Sequence, residues 1–155
     1  MDRRFAEVVA GLHPSFEKLL AMPPVTCATL PKGMPKSGIY LLSDGSQHLY
    51  VGRSRNVRRR LGGHSRPKST HGMAAFAFRL AREATGQLRA TYKREWSRSA
   101  LVLDEAFQAA FVTAKARIRE MAVRFVEEAD PVRQAVLEVY VAVALQTPYN
   151  DFDTH

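Results

Sequence analysis

The sequence predicts an α+β fold: a small, mainly antiparallel three-stranded sheet flanked by helices. Three observations lead there. Two apolar, aromatic-rich runs, Gly38-Ile39-Tyr40-Leu41-Leu42 and His48-Leu49-Tyr50-Val51-Gly52, flank the turn signal Ser43-Asp44-Gly45-Ser46, the pattern of a β-hairpin. Residues 119–126 alternate, with Met121, Val123 and Phe125 on one side, as a third strand would. Most of the remaining apolar residues recur at helical spacing.

In chain order, residues 3–21 carry Phe5, Val8, Val9 and Leu12, then Phe16, Leu19 and Leu20, which predicts two short helices with Pro14 opening the second. Four prolines between residues 23 and 36 mark a connecting arm into the hairpin. Asn56 is placed to cap a short basic helix over residues 57–61, with Gly62-Gly63 as its stop. A further helix is expected over 73–84, closed by Gly86, and another over 101–116. Asp130-Pro131 supplies an N-cap with proline at the first helical position. The helix it opens carries Val132, Val136, Val139 and Val143 on one stripe and ends at Pro148.

A chain of 155 residues, 46% hydrophobic, suffices for one core, so a single domain over 1–155 is expected. Glu7, His13 and Pro14 interrupt the early apolar residues, and no run reaches membrane-spanning length, so the expected setting is cytoplasmic, with no membrane partner. Cys27 is the single cysteine, which excludes an internal disulfide and a zinc knuckle; it reads as a small apolar filler.

The net charge of +8 is localised. No acid falls between Asp44 and Glu83, while Arg53, Arg55, Arg58, Arg59, Arg60, Arg66, Lys68, Arg79 and Arg82 all do. These are nine of 23 basic residues, and the other fourteen face fifteen acids, a net of −1. One basic feature on a near-neutral chain is the footprint of a surface that neutralises phosphates, or of a solvated helix face.

Gly38-Ile39-Tyr40, nine further residues, then Tyr50-Val51-Gly52 resembles the paired signature of the GIY-YIG nuclease family. Arg60 lies ten residues after Tyr50 and His64 four further on; Glu138 precedes the Pro148-Tyr149-Asn150 cluster by one helix length. The resemblance covers residues 37–84 and 119–151, leaving the N-terminal helices and arm (1–36) and an insertion (87–117) outside it. It implies a DNA endonuclease whose catalytic residues are Tyr40, Tyr50, Arg60, His64, Glu138 and Asn150. Glu138 would ligate one Mg²⁺ or Mn²⁺, and Arg53, Arg55, Arg58 and Arg59 would bind substrate.

The residue chemistry is compatible. Phosphodiester hydrolysis needs an activated water, positive charge on the phosphoryl oxygens and stabilisation of the leaving oxygen. Arg60 offers a planar fork that stays charged, suited to the transition state. Glu138 lies in an otherwise apolar helical stretch, where a carboxylate calls for solvent or a cation. With no second carboxylate at ligand spacing a single ion is expected, although Glu120, Glu127 and Glu128 are competing carboxylates if the insertion does not loop out. Tyr40 is the candidate base or water-positioner, and a phenol with pKa of about 10 needs help from Arg60, the metal or His64. Asn150 is expected to brace the site through neighbouring backbone or Tyr50.

Tyr92, Lys93, Arg94, Trp96 and Arg98 form a basic-aromatic patch that reads equally as a nucleic-acid contact or as Trp96 anchoring the insertion. Two rival functions compete with the nuclease: an inactive nucleic-acid-binding module of the same fold, and a basic RNA-associated structural protein.

Overall fold

The computed structural model describes residues 1–86 and 104–153. They form α1 (Arg3–Ala10), α2 (Leu12–Ala21), β1 (Gly38–Asp44), β2 (Gln47–Ser54), α3 (Val57–Ser65), α4 (Ala75–Ala84), α5 (Glu105–Glu120), β3 (Ala122–Glu127) and α6 (Pro131–Leu145). The strands make one antiparallel sheet in the order β2-β1-β3, and with its flanking helices the fold is α+β. The chain divides into two compact units, one of Met1–Arg59 with Met121–His155 and one of Arg60–Glu120. Among the described residues no helix is long and apolar enough to cross a membrane.

The sheet belongs to the first unit, and β1 is its central strand, buried from Gly38 to Ser43. A two-residue turn, Gly45-Ser46, joins β1 to β2, with Gly45 at φ +60° where a side chain would be strained. Ile39, Leu41 and Val51 share a core with Leu12 and Leu19 of α2 and with Leu137, Val141 and Ala142 of α6. Each such aliphatic side chain contributes about 1.5–3 kcal/mol on burial. On the far side of β3, Val25 of the proline-rich arm exchanges both backbone hydrogen bonds with Val123, 3.0 and 2.7 Å, so that edge is not left open.

Both motif glycines are required by close approach. A Cβ at Gly38 would overlap the Val126 carbonyl of β3, and a Cβ at Gly52 would overlap the Tyr40 ring. Tyr40 and Gly52 are cross-strand partners, so the ring lies over the one residue on β2 that leaves it room.

α6 starts as expected: the Asp130 side chain accepts a hydrogen bond from the Arg133 N–H at 2.8 Å, and Pro131 is the first helical residue. Three valines of its stripe, however, face outward, Val132, Val139 and Val143 being 60%, 45% and 68% exposed, while Val136 packs against the core. The buried arc is Gln134, Leu137, Val141 and Ala142. A helix apolar most of the way round offers two stripes, and periodicity alone does not say which meets the core. The helix ends before Pro148, where Gln146 adopts the left-handed conformation (φ 51°, ψ 47°). α2 likewise begins at Leu12, taking Pro14 into its first turn, where a missing N–H costs no helical bond.

The second unit is built on α4 and α5. Phe78 meets Phe107 edge-on with ring centroids 5.0 Å apart, and Phe111 completes the cluster. Asp104 caps α5 by accepting from the Phe107 N–H at 2.8 Å. Two boundaries differ from expectation. Helix α3 runs through Gly62-Gly63 to Ser65, because these glycines serve contacts rather than a stop: the Arg66 guanidinium lies over Gly62 and the Met73 carbonyl crowds Gly63. Helix α5 continues to Glu120, its buried row Phe107, Phe111, Ala114, Ile118 keeping helical spacing, so β3 begins only at Ala122. Buried Lys115 donates to the Pro67 and Ser69 carbonyls (2.6 and 2.9 Å), tying the loop after α3 to α5. Residues 101–103 and the patch Tyr92, Lys93, Arg94, Trp96 and Arg98 lie outside the described residues.

Gly52→Ala should force the Tyr40 ring from its seat at a cost of about 1–3 kcal/mol, read as a lower midpoint in denaturant unfolding. An unchanged midpoint would mean the ring is not confined by this contact.

Candidate active site

In the first unit, the predicted site residues are tied to consecutive positions on β2. Tyr40 of β1 and Tyr50 of β2 approach with ring centroids 6.3 Å apart, and Tyr40 is almost wholly buried. Arg53, near the end of β2, donates from Nε to Glu138 Oε2 of α6 at 3.0 Å. Asn150 clamps the strand between them. Its Oδ1 accepts the Val51 N–H at 2.9 Å and its Nδ2 donates to the Val51 carbonyl at 2.7 Å, copying the pairing of a neighbouring strand. The Thr147 hydroxyl donates to the same Oδ1 at 2.7 Å, and the Tyr149 N–H donates to the Leu49 carbonyl at 3.2 Å.

Strand alternation sorts these groups by face. Tyr40, Tyr50 and Gly52 share one face, whereas Val51 and Arg53 lie on the face covered by α6. The tyrosine pair and the Arg53–Glu138 pair therefore leave the sheet from opposite sides. Tyr50 and Arg53 are near neighbours along β2, an edge strand. Bracing by Asn150 occurs through backbone, one of the two expected partners. Thr147 was not singled out by sequence reasoning; its position three residues before Asn150, in a turn beside a proline, is the available signal.

Glu138 is half-buried, and burial raises its pKa, an effect opposed by the charge of Arg53 and its hydrogen bond. Arg53, Arg55, Arg58 and Arg59 are all exposed. Arg58 also donates to the Pro31 carbonyl of the arm at 2.5 Å, and Asn56 caps α3 by accepting from the Arg59 N–H at 3.1 Å. Glu120, Glu127 and Glu128 offer no cluster with Glu138: among the described residues no group of three or more His, Cys, Asp or Glu side chains is arranged to hold a metal. The donor set at Glu138 nevertheless fits an ion that keeps most of its waters. Its Oε1 takes no hydrogen bond from any described residue, leaving one hard, anionic oxygen for such an ion.

In the second unit, Arg60 and His64 stand one turn apart on α3. Arg60 Nη1 donates to the Met73 carbonyl at 3.2 Å. His64 is completely buried, edge-on to Phe76. Burial first, and the nearby Arg60 charge second, lower its pKa to about 3, so the imidazole is neutral at physiological pH.

Compared with protein-family models, with curated proteins and with solved structures, the chain finds no match in any of the three.

Asn150→Asp would set a carboxylate oxygen against the Val51 carbonyl in place of a donor, and should destabilise the fold by about 1–3 kcal/mol in denaturant titrations. His64 makes a second, pH-dependent prediction. Its folded pKa, about 3, lies below the ordinary 6.5, so below pH 6.5 the unfolded chain takes up a proton that the folded chain refuses. Stability should thus be full above that pH and fall as pH drops towards 3, by at most roughly 5 kcal/mol from this group. Unfolding free energies across this range should show a shallower slope for His64→Gln; an equal slope would mean the imidazole is not held neutral.

Proposed function

We propose that this chain is an endonuclease of the GIY-YIG type that hydrolyses the phosphodiester backbone of DNA with one divalent cation, Mg²⁺ or Mn²⁺. The observation that supports this most is the convergence on Tyr50–Arg53 of residues far apart in sequence: Tyr40 over Gly52, Asn150 on Val51 and Glu138 on Arg53. The two glycines of the paired motif have matching physical reasons to be glycine.

In this reading Tyr40 and Tyr50 order the attacking water and accept its proton, their rings held by cross-strand packing. Glu138 would hold the cation, which would supply positive charge for the leaving oxygen. Arg53 offers its guanidinium to the phosphate, and Arg55, Arg58 and Arg59 hold flanking phosphates, a term that weakens steeply with salt. The resemblance assigns Arg60 to the transition-state charge. His64, buried and neutral, adds no charge of its own. Asn150 keeps Val51 in place and so the register of Tyr50 and Arg53.

Supercoiled plasmid with Mg²⁺ or Mn²⁺ should be converted to nicked or linear DNA, and Glu138→Ala should reduce the rate by about a thousandfold while DNA affinity and the melting transition are retained. Supercoils that persist across metals and across linear, single-stranded and branched substrates would leave a nucleic-acid-binding module instead. A Glu138→Ala protein that cuts like the parent would remove that carboxylate from the mechanism.

A further inference from the structure

The Arg53–Glu138 contact uses only part of each group. Arg53 bonds through Nε alone, at 3.0 Å, and its terminal Nη1 and Nη2 make no hydrogen bond to any described residue. Its side chain is 47% exposed, against 22% for Glu138. An ion pair this open adds little to fold stability. A half-buried carboxylate, by contrast, is held in its charged form by a counter-charge beside it.

If Glu138 is the metal ligand, as the nuclease reading requires, two cations compete for the same carboxylate. We propose that Arg53 is a positioning residue that holds the place of the divalent cation: its guanidinium neutralises Glu138 in the metal-free protein and must yield it when the ion binds. The open Nη1/Nη2 fork then has a second destination, the two oxygens of a phosphodiester, which it can grip in bidentate fashion. Metal and DNA thus favour each other's binding, since each relieves part of what the other displaces. The inference rests on the nuclease reading, but its central claim concerns metal affinity without DNA.

Calorimetric titration of the full chain with Mn²⁺, in the absence of DNA, tests it. Glu138→Ala should abolish the specific site. Arg53→Gln should bind Mn²⁺ several-fold to about tenfold tighter than the parent, and Arg53→Lys, which keeps the charge, should stay close to the parent. Melting curves check that each variant is folded; should Arg53→Gln not be, Arg53→Met keeps the aliphatic stem and replaces it. Mn²⁺ binding unchanged in Glu138→Ala would overturn the metal assignment itself, and with it the nuclease reading. Binding lost in Glu138→Ala but unchanged or weaker in Arg53→Gln would overturn the place-holding role alone.

Discussion

The first unit is organised by how closely other backbone and side chains approach the buried strand β1. Val126 of β3 leaves no room for a side chain at Gly38, and the Tyr40 ring leaves none at Gly52. Because the side-chain period of a strand is two, a one-residue slip of β2 against β1 would turn Tyr50 away from the face of Tyr40 and carry Arg53 away from α6. The two glycines thus act as register pins as well as points of contact. Core burial of Ile39, Leu41 and Val51 reinforces the same register, since a one-residue slip would take the slipped strand's residues off the α6 face.

Within each unit, rigidity and freedom are divided between groups. Tyr40 is buried under cross-strand contacts, and the Val51 backbone is held by both ends of the Asn150 amide. His64, within the second unit, is locked and neutral. Arg53 differs: it is half exposed and bonded through one nitrogen. Buried, doubly bonded groups hold one geometry, whereas a half-exposed side chain bonded through a single nitrogen can change partners at little cost.

Much of this was legible in the sequence where a local rule and the tertiary fold demand the same residue. The hairpin around Asp44-Gly45, the Asp130-Pro131 helix start and the Asn56 cap each follow from backbone chemistry within four residues, and each is present. Asn150 entered through the resemblance, with neighbouring backbone or Tyr50 as its expected partner, and it pairs with the Val51 backbone. Illegible features depend on partners far along the chain. Gly62-Gly63 reads as a helix stop until Arg66 and Met73 are seen crowding it, and the outward valines of α6 match the spacing of its inward residues. The Arg53–Glu138 pair spans 85 positions, so no periodicity could have announced it.

The continuation of α3 past its glycines matters beyond the boundary itself. Had the helix stopped at Leu61, His64 would have hung in a loop, open to water and free to titrate near neutrality. One more turn buries it beside Phe76, with the Arg60 charge adding to the burial penalty, and its proton is lost across the whole physiological range. The neutral imidazole keeps one nitrogen with a lone pair and one with a proton, whereas the Arg60 guanidinium one turn earlier on α3 stays charged. The resemblance singled out these two side chains, but the neutral state of His64 follows from its burial on a helix that continues through two glycines.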